Sequence, residues 1–221
     1  GAGMRDAPFL ARHRERVEVV PLGVDLDRFR PDPSVSDAFP HIARPRIVFV
    51  GRLRHYKGLP LLAAALARLP QTQLVVVGDG PESDTLDLAL RALGCRDRAH
   101  LLGDLDDDRL VRLLQTADAA VLASTSRAEA FGVAIAEAQA CGVPAVTTEV
   151  GTGTAQTVAD GISGRVVAPN DPDALVAALA WCLDPVPAPA RRAAARAHAE
   201  ANLDARRMAD TVVEIYEALL L

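Results

Sequence analysis

The chain has 221 residues, half of them hydrophobic but only 4% aromatic, with a formal net charge of −5 spread over mixed acids and bases. That length supports one α/β domain with a large buried core, and the abundance of Ala, Leu and Val suits helices packed on a buried sheet. The mild acidity excludes a general nucleic-acid binder, which needs a basic stripe, and no apolar run reaches the ~18 residues of a membrane span.

Gly1-Ala2-Gly3 before Met4 reads as a cloning remnant, and residues 1–16 as that remnant plus a linker. Val17–Val20 reads as a first short strand. Residues 31–45, rich in Pro, Asp and Ser, read as a loop. Then strand-like and helical patterns alternate. Arg46–Val50 is an apolar strand stopped by Gly51, and Leu59–Leu69 a helix. Gln73–Val77 is a strand, followed by a Gly78–Pro81 turn and a Glu82–Leu93 helix ended by Gly94. Ala99–Leu102 is a strand and Asp107–Thr116 a helix. Ala119–Ala123 is a strand running into Ser124-Thr125-Ser126, and Gly132–Cys141 a helix closed by Gly142. Ala145–Thr148 and Arg165–Ala168 are strands. Asp173–Leu183, Pro189–Ala201 and Asp204–Leu221 are helices. Short, uniformly apolar strands alternating with helices predict an α/β fold, a Rossmann-like doubly wound parallel sheet over residues 17–221. Cys95, Cys141 and Cys182 are odd in number and lack metal-ligand spacing, so a reducing, cytoplasmic setting is expected.

In an open parallel sheet a ligand lies outside the carboxyl ends of the strands. Here those ends read Gly51-Arg52, Gly78-Asp79-Gly80, Gly103-Asp104, Ser124-Thr125-Ser126 and Thr147-Thr148. Glycine lets a ligand approach the backbone. Arg52 and Lys57 flank the first loop and make either a diphosphate clamp or a pair of ordinary surface cations. The stretch Ser126–Ala138 runs from a strand end into a helix, so the amides of Phe131, Gly132 and Val133 are available to anionic oxygens. Glu129 precedes that helix. Glu137 sits two turns inside it among alanines and Ile135. A carboxylate there needs partners: a vicinal diol such as a ribose, or an arginine elsewhere in the chain.

Other features are blander. Asp106-Asp107-Asp108 precedes a helix and reads as a cap and dipole complement rather than a metal site. The five histidines lack ligand spacing; His55 alone lies in a candidate ligand loop. Gly78-x-Gly80 lacks the rest of a dinucleotide fingerprint, and no phosphate-loop or nucleophile-elbow motif occurs.

Several stretches together resemble the C-terminal, donor-binding domain of GT-B-fold retaining glycosyltransferases of family 4, the glycosyl transferases group 1. They are Val20-Pro21-Leu22-Gly23-Val24-Asp25, Phe49–Leu53 with Lys57-Gly58, and Val77–Pro81. Further on come Ala117-Asp118, Glu129-Ala130-Phe131-Gly132 with Glu137, Gly142–Val146, and Asp160-Gly161 with Gly164. The resemblance implies one half of a GT-B fold and a nucleoside-diphosphate-sugar donor, with no cofactor and no metal. It implies that Arg52 and Lys57 hold the diphosphate, that Glu137 binds the ribose, and that Glu129 faces the donor sugar. Gly51, Gly78, Gly103, Asp104 and Leu105 would line the nucleotide, and the amides of Phe131, Gly132 and Val133 would meet sugar and phosphate. Glu129, Arg52 and Lys57 are the implied catalytic residues, with Glu129 not a nucleophile.

Leu22 stands where many members carry Asn, and Gly151-Thr152-Gly153-Thr154 replaces a commoner Gly-Gly-x-x-Glu pattern. The latter resembles transferases of bacterial cell-surface polysaccharides. The acceptor-binding N-terminal domain, ~150 residues or more, is expected to be missing, leaving the isolated half inactive. The full-length enzyme is expected in the cytoplasm or at the inner membrane face. The apolar stripe of the last helix, from Leu203 to Leu220, is expected to pack on its own domain or to dimerise. A glycan phosphorylase would need a pyridoxal lysine, and Lys57 is the chain's one lysine. A sugar-nucleotide epimerase or a non-catalytic sugar-nucleotide-binding module would also suit a domain of this shape.

Overall fold

The computed structural model describes residues 10–220; the Gly1–Gly3 remnant lies outside the described residues. Six strands form one sheet: β1 Arg46–Val50, β2 Gln73–Val77, β3 Ala99–Leu101, β4 Ala119–Leu122, β5 Ala145–Thr148 and β6 Gly164–Val167. Every neighbouring pair is parallel, in the order β3-β2-β1-β4-β5-β6. Both neighbours of β1 are fixed by apolar residues, Ile47 lying opposite Leu74 on one side and Ala119 on the other. The strands are apolar on both faces because both faces are covered.

The helices are α1 Leu59–Arg68, α2 Ser83–Ala92, α3 Asp107–Thr116, α4 Val133–Ala140, α5 Pro172–Leu183, α6 Ala188–Asn202 and α7 Ala205–Leu220. Helices α1, α2 and α5 pack as one layer, and α3, α4 and α6 as the other. Helix α4 is apolar nearly all round. Ile135, Ala136, Ala138, Gln139 and Ala140 are buried as it lies between the sheet and α6. A single continuous core joins both layers. Chain direction across the sheet reverses between β1 and β4, so the carboxyl ends of these two strands flank the topological switch point.

The helical and strand boundaries from Arg46 onward lie within one residue of those read from the sequence. The first strand does not. Residues 17–20 form no ladder, because no neighbouring strand offers them an edge. The nearest pairing comes at Val24, a lone bridge to Asp204 backed by Val24 N donating to Leu203 O at 2.8 Å. The apolar tail meets one expectation only in part. No residue of α7 is buried, and Val213, Tyr216, Leu219 and Leu220 are exposed. Leu203, just ahead of the helix, is buried in the core and Met208 and Ile215 are half-buried, so the stripe packs on its own domain at its start and is left largely open beyond it. Among the described residues no helix is long and apolar enough to cross a membrane.

Candidate active site

The loop after β1 is shaped by glycine. Gly51 has φ +143°, and a Cβ at Gly78 (φ +114°) would lie 2.4 Å from Gly51 O. This lets the loops after β1 and β2 touch backbone to backbone. Gly78 N donates to Gly103 O at 2.8 Å, which draws in the loop after β3. The three loops enclose a cleft of about 800 Å³ lined by Gly51, Arg52, Gly78, Asp79, Asp104 and Leu105, among others. Arg52 is exposed at its wall.

Lys57 lies beside this cleft. A short helical turn, His55–Lys57, precedes Gly58, whose φ is +69°. A Cβ on Gly58 would fall 2.0 Å from Ala123 O, so this turn is pressed onto the end of β4. Thr125 N donates to Tyr56 O at 2.7 Å and completes the clasp. The Lys57 ammonium lies 3.6 Å from where a Gly51 Cβ would be. It is ion-paired with Glu129, the two side chains only 12% and 10% exposed. Ser124 Oγ donates to the same carboxylate oxygen at 3.3 Å. The surface-cation reading of Lys57 is therefore excluded, while His55 is exposed at the start of the same turn. Glu129 faces Lys57 in this structure, a pairing that sequence spacing did not reveal.

Three residues on, the chain turns into α4 through Gly132 in the left-handed region (φ +84°), with no side chain capping the helix. Among the described residues the amides of Phe131, Gly132 and Val133 find no acceptor. Such amides and the helix dipole make an anion-receptive end. The Phe131 ring faces elsewhere, into a separate cavity of about 550 Å³ with Val19, Pro21, Gln156 and His198. Only its backbone can take part. Val133 is exposed at the helix start.

Glu137 follows one turn after Val133 and is half-buried. No salt bridge or side-chain hydrogen bond joins it to another described residue. Burial pushes its carboxyl up to about 7, with Arg28 opposing the rise and Asp107 adding to it. Arg28 is close enough to act on this charge but is paired with Asp107 at 2.5 Å. Of the acidic triplet, Asp106 caps α3 by accepting from Arg109 N at 2.9 Å. Among the described residues no cluster could hold a metal ion.

The sequence-selected residues thus form three neighbouring groups: the cleft walls, the Lys57–Glu129 pair with the amides of α4, and Glu137. Two further residues join the site without having been assigned a role from sequence: Ser124, a strand-end hydroxyl that touches Glu129, and Thr152, whose Oγ1 donates to Glu129 O at 2.7 Å. Reasoning from sequence missed Arg28 beside Glu137; Arg28 carried no signal, since it arrives from a distant loop.

Residues 40–198 match the family described as glycosyl transferases group 1. The chain is 38% identical over 175 residues to the D-rhamnosyltransferase WbpZ of Pseudomonas aeruginosa, covering 78% of this chain and 45% of that protein. It is 36% identical over 207 residues to a glycogen synthase of Mycobacterium tuberculosis, covering 91% and 48%. Among solved structures, HepE of Anabaena in complex with UDP and glucose superposes with a TM-score of 0.83 at 26% identity, covering 92% of this chain and 57% of that one. A sucrose-phosphate synthase from Thermosynechococcus elongatus gives a TM-score of 0.83 at 28% identity, covering 98% and 57%. The chain spans about half the length of the curated relatives it matches.

Proposed function

We propose, starting from the fact that this chain belongs to the glycosyl transferases group 1 family, that it is the donor-binding half of a retaining GT-B glycosyltransferase. The reaction moves a sugar from a nucleoside-diphosphate sugar to an acceptor, in bacterial cell-surface glycan or glycolipid synthesis. The observation that carries the donor reading is Glu137. A half-buried carboxyl without a partner is costly in the empty protein, and a ribose diol supplies the two donors it lacks.

The rest of the site is consistent with that ligand. The cleft between the loops after β1, β2 and β3 accommodates the base, with Leu105 and Gly103 at its edge. In this reading Arg52, Lys57 and the amides of Phe131, Gly132 and Val133 receive the diphosphate. Departure of the nucleoside diphosphate builds negative charge there, and fixed cations and amides stabilise it in place of a metal. Glu129 lies on the sugar side, where an oxocarbenium-like centre would be steadied by a carboxylate. A complex of a relative with UDP and glucose supports a donor of this class. Lys57 already holds Glu129, which suits phosphate binding better than imine formation with pyridoxal.

In this reading the acceptor is bound by an N-terminal domain, and the 221-residue chain alone is inactive because half of the positioning is missing. The exposed stripe of α7 would be covered by that domain, or by a second copy when the domain is absent. The complete enzyme would work in the cytoplasm, at or near the inner membrane face.

The test is a thermal-shift panel of UDP, GDP, ADP and their sugar conjugates, run beside Glu137→Ala. A nucleotide at ~100 times its dissociation constant adds about 2.7 kcal/mol of stability. The expected result is stabilisation by one base, lost in the variant. Equal stabilisation of wild type and variant would sink the ribose role of Glu137.

A further inference from the structure

The cation best placed for the diphosphate is already neutralised. Lys57 and Glu129 are ion-paired at the switch point, and both are nearly buried. Each partner is held by backbone contacts of its own. The turn carrying Lys57 is clamped to β4 through Thr125 N and Tyr56 O at 2.7 Å and through the close approach of Gly58 to Ala123 O. The backbone of Glu129 is held by Thr152 Oγ1 at 2.7 Å, so the pair is fixed from both sides.

A diphosphate that approaches the amides of Phe131, Gly132 and Val133 comes two to four residues along the chain from Glu129. Two anions then compete for one ammonium. If phosphate takes Lys57, the carboxylate is left nearly buried with Ser124 Oγ as its remaining donor, and an underpartnered buried charge is unfavourable. A donor that carries a sugar can offset this, because sugar hydroxyls donate to the freed carboxylate. A bare nucleoside diphosphate has no such group on that side.

We propose that Glu129 competes with the diphosphate for Lys57, and thereby weakens binding of the spent nucleoside diphosphate relative to the sugar-bearing donor. The inference rests on the donor-site reading above. It gives Glu129 a second task beyond facing the sugar. Once the sugar has left, the ion pair re-forms and helps expel the product. Glu129 thus sets specificity between substrate and product through the charge of Lys57.

The experiment is isothermal titration of the 221-residue chain with UDP, GDP and ADP and with UDP-glucose, GDP-glucose and ADP-glucose. Wild type, Glu129→Gln, Lys57→Met and the double variant are compared, with circular dichroism to establish that each is folded. For the base that binds, Glu129→Gln is expected to tighten the bare diphosphate about tenfold and to shrink the preference for the sugar conjugate. In the Lys57→Met background the same change is expected to give no gain. An unchanged or weakened affinity of folded Glu129→Gln for the diphosphate overturns the proposal, and so does a gain that survives without Lys57. Failure of every folded variant to bind any of these nucleotides overturns the donor-site reading itself, and this inference with it.

Discussion

The two ends of the sheet carry clefts of the same size, about 800 Å³ each, and differ in how their polar groups are satisfied. At the amino ends of the strands the cleft holds Arg44, Asp118 and Arg192. Arg44 bonds Asp118, which also accepts from Arg46 N at 2.7 Å. Arg192 donates to Ala117 O and Gln115 O at 2.8 and 3.0 Å. Nearby, the buried Arg46 makes a two-pronged pair with Asp37 and bonds Phe39 O. At the carboxyl ends, by contrast, three amides lack acceptors and Glu137 lacks a donor among the described residues. Volume therefore does not separate the two ends; they differ in these open amides and in the half-buried Glu137 carboxyl, which lie outside the lining of the second cleft.

That contrast can be broken experimentally. The largest effect is expected at the satisfied end. Arg46→Ala removes a buried guanidinium and leaves Asp37 without its cation, so stability should fall by about 3 kcal/mol in urea denaturation. The nucleotide-induced shift should survive. Loss of the shift, with little loss of stability, would reverse the roles assigned to the two ends.

Glu137→Gln should do the opposite and stabilise the empty protein. The folded carboxyl is raised from 4.5 to about 7. The unfolded chain therefore releases this proton first, and stability falls as pH rises through that window, with the full penalty above it. The glutamine variant should gain about 2 kcal/mol at pH 8, and the gain should shrink steadily as pH is lowered toward 5. A pH-independent gain would show that the carboxyl is not held neutral by burial.

Gly132→Ala should cost about 1–2 kcal/mol, because the φ of +84° is strained for any side chain and the new Cβ meets Leu122 Cδ2 at 2.9 Å. Nucleotide response should decline with it as the α4 amides shift. The smallest effect belongs to Arg44→Ala. Its ion pair is half-exposed, and Asp118 keeps the Arg46 amide, so a change of no more than about 0.5 kcal/mol is expected in the same denaturation assay.

Most of the fold was legible because hydrophobic runs and glycine stops mark each strand and helix from Arg46 to Leu220. The failure at Val17–Val20 has a clear cause. Its apolar residues fit a strand, but strand formation needs an available edge, and local pattern carries no information about edges. The site was legible as a set of strand-end residues. Its wiring was not. That Lys57 would meet Glu129 depends on how closely Gly58 seats against Ala123 O, and that Arg28 would approach Glu137 depends on a loop whose path the sequence pattern does not give. Glu137 was recognisable as a carboxylate in an apolar helix; that no described residue would pair with it depends on the tertiary fold.

The bridge between Val24 and Asp204 has a mechanical consequence. Val24 N reaches Leu203 O and Ala205 N returns to Val24 O, at 2.8 and 3.1 Å. Gly23 lies so close to Ala205 that a Cβ would fall 2.4 Å from its nitrogen. The segment leading into the domain and the one leading out to α7 are thus laced together here, and Arg206 pairing with Asp27 adds a side-chain stitch. A force applied between the two ends of the chain is short-circuited there, and the sheet behind the lacing forms a closed loop that carries no load until those few bonds give way.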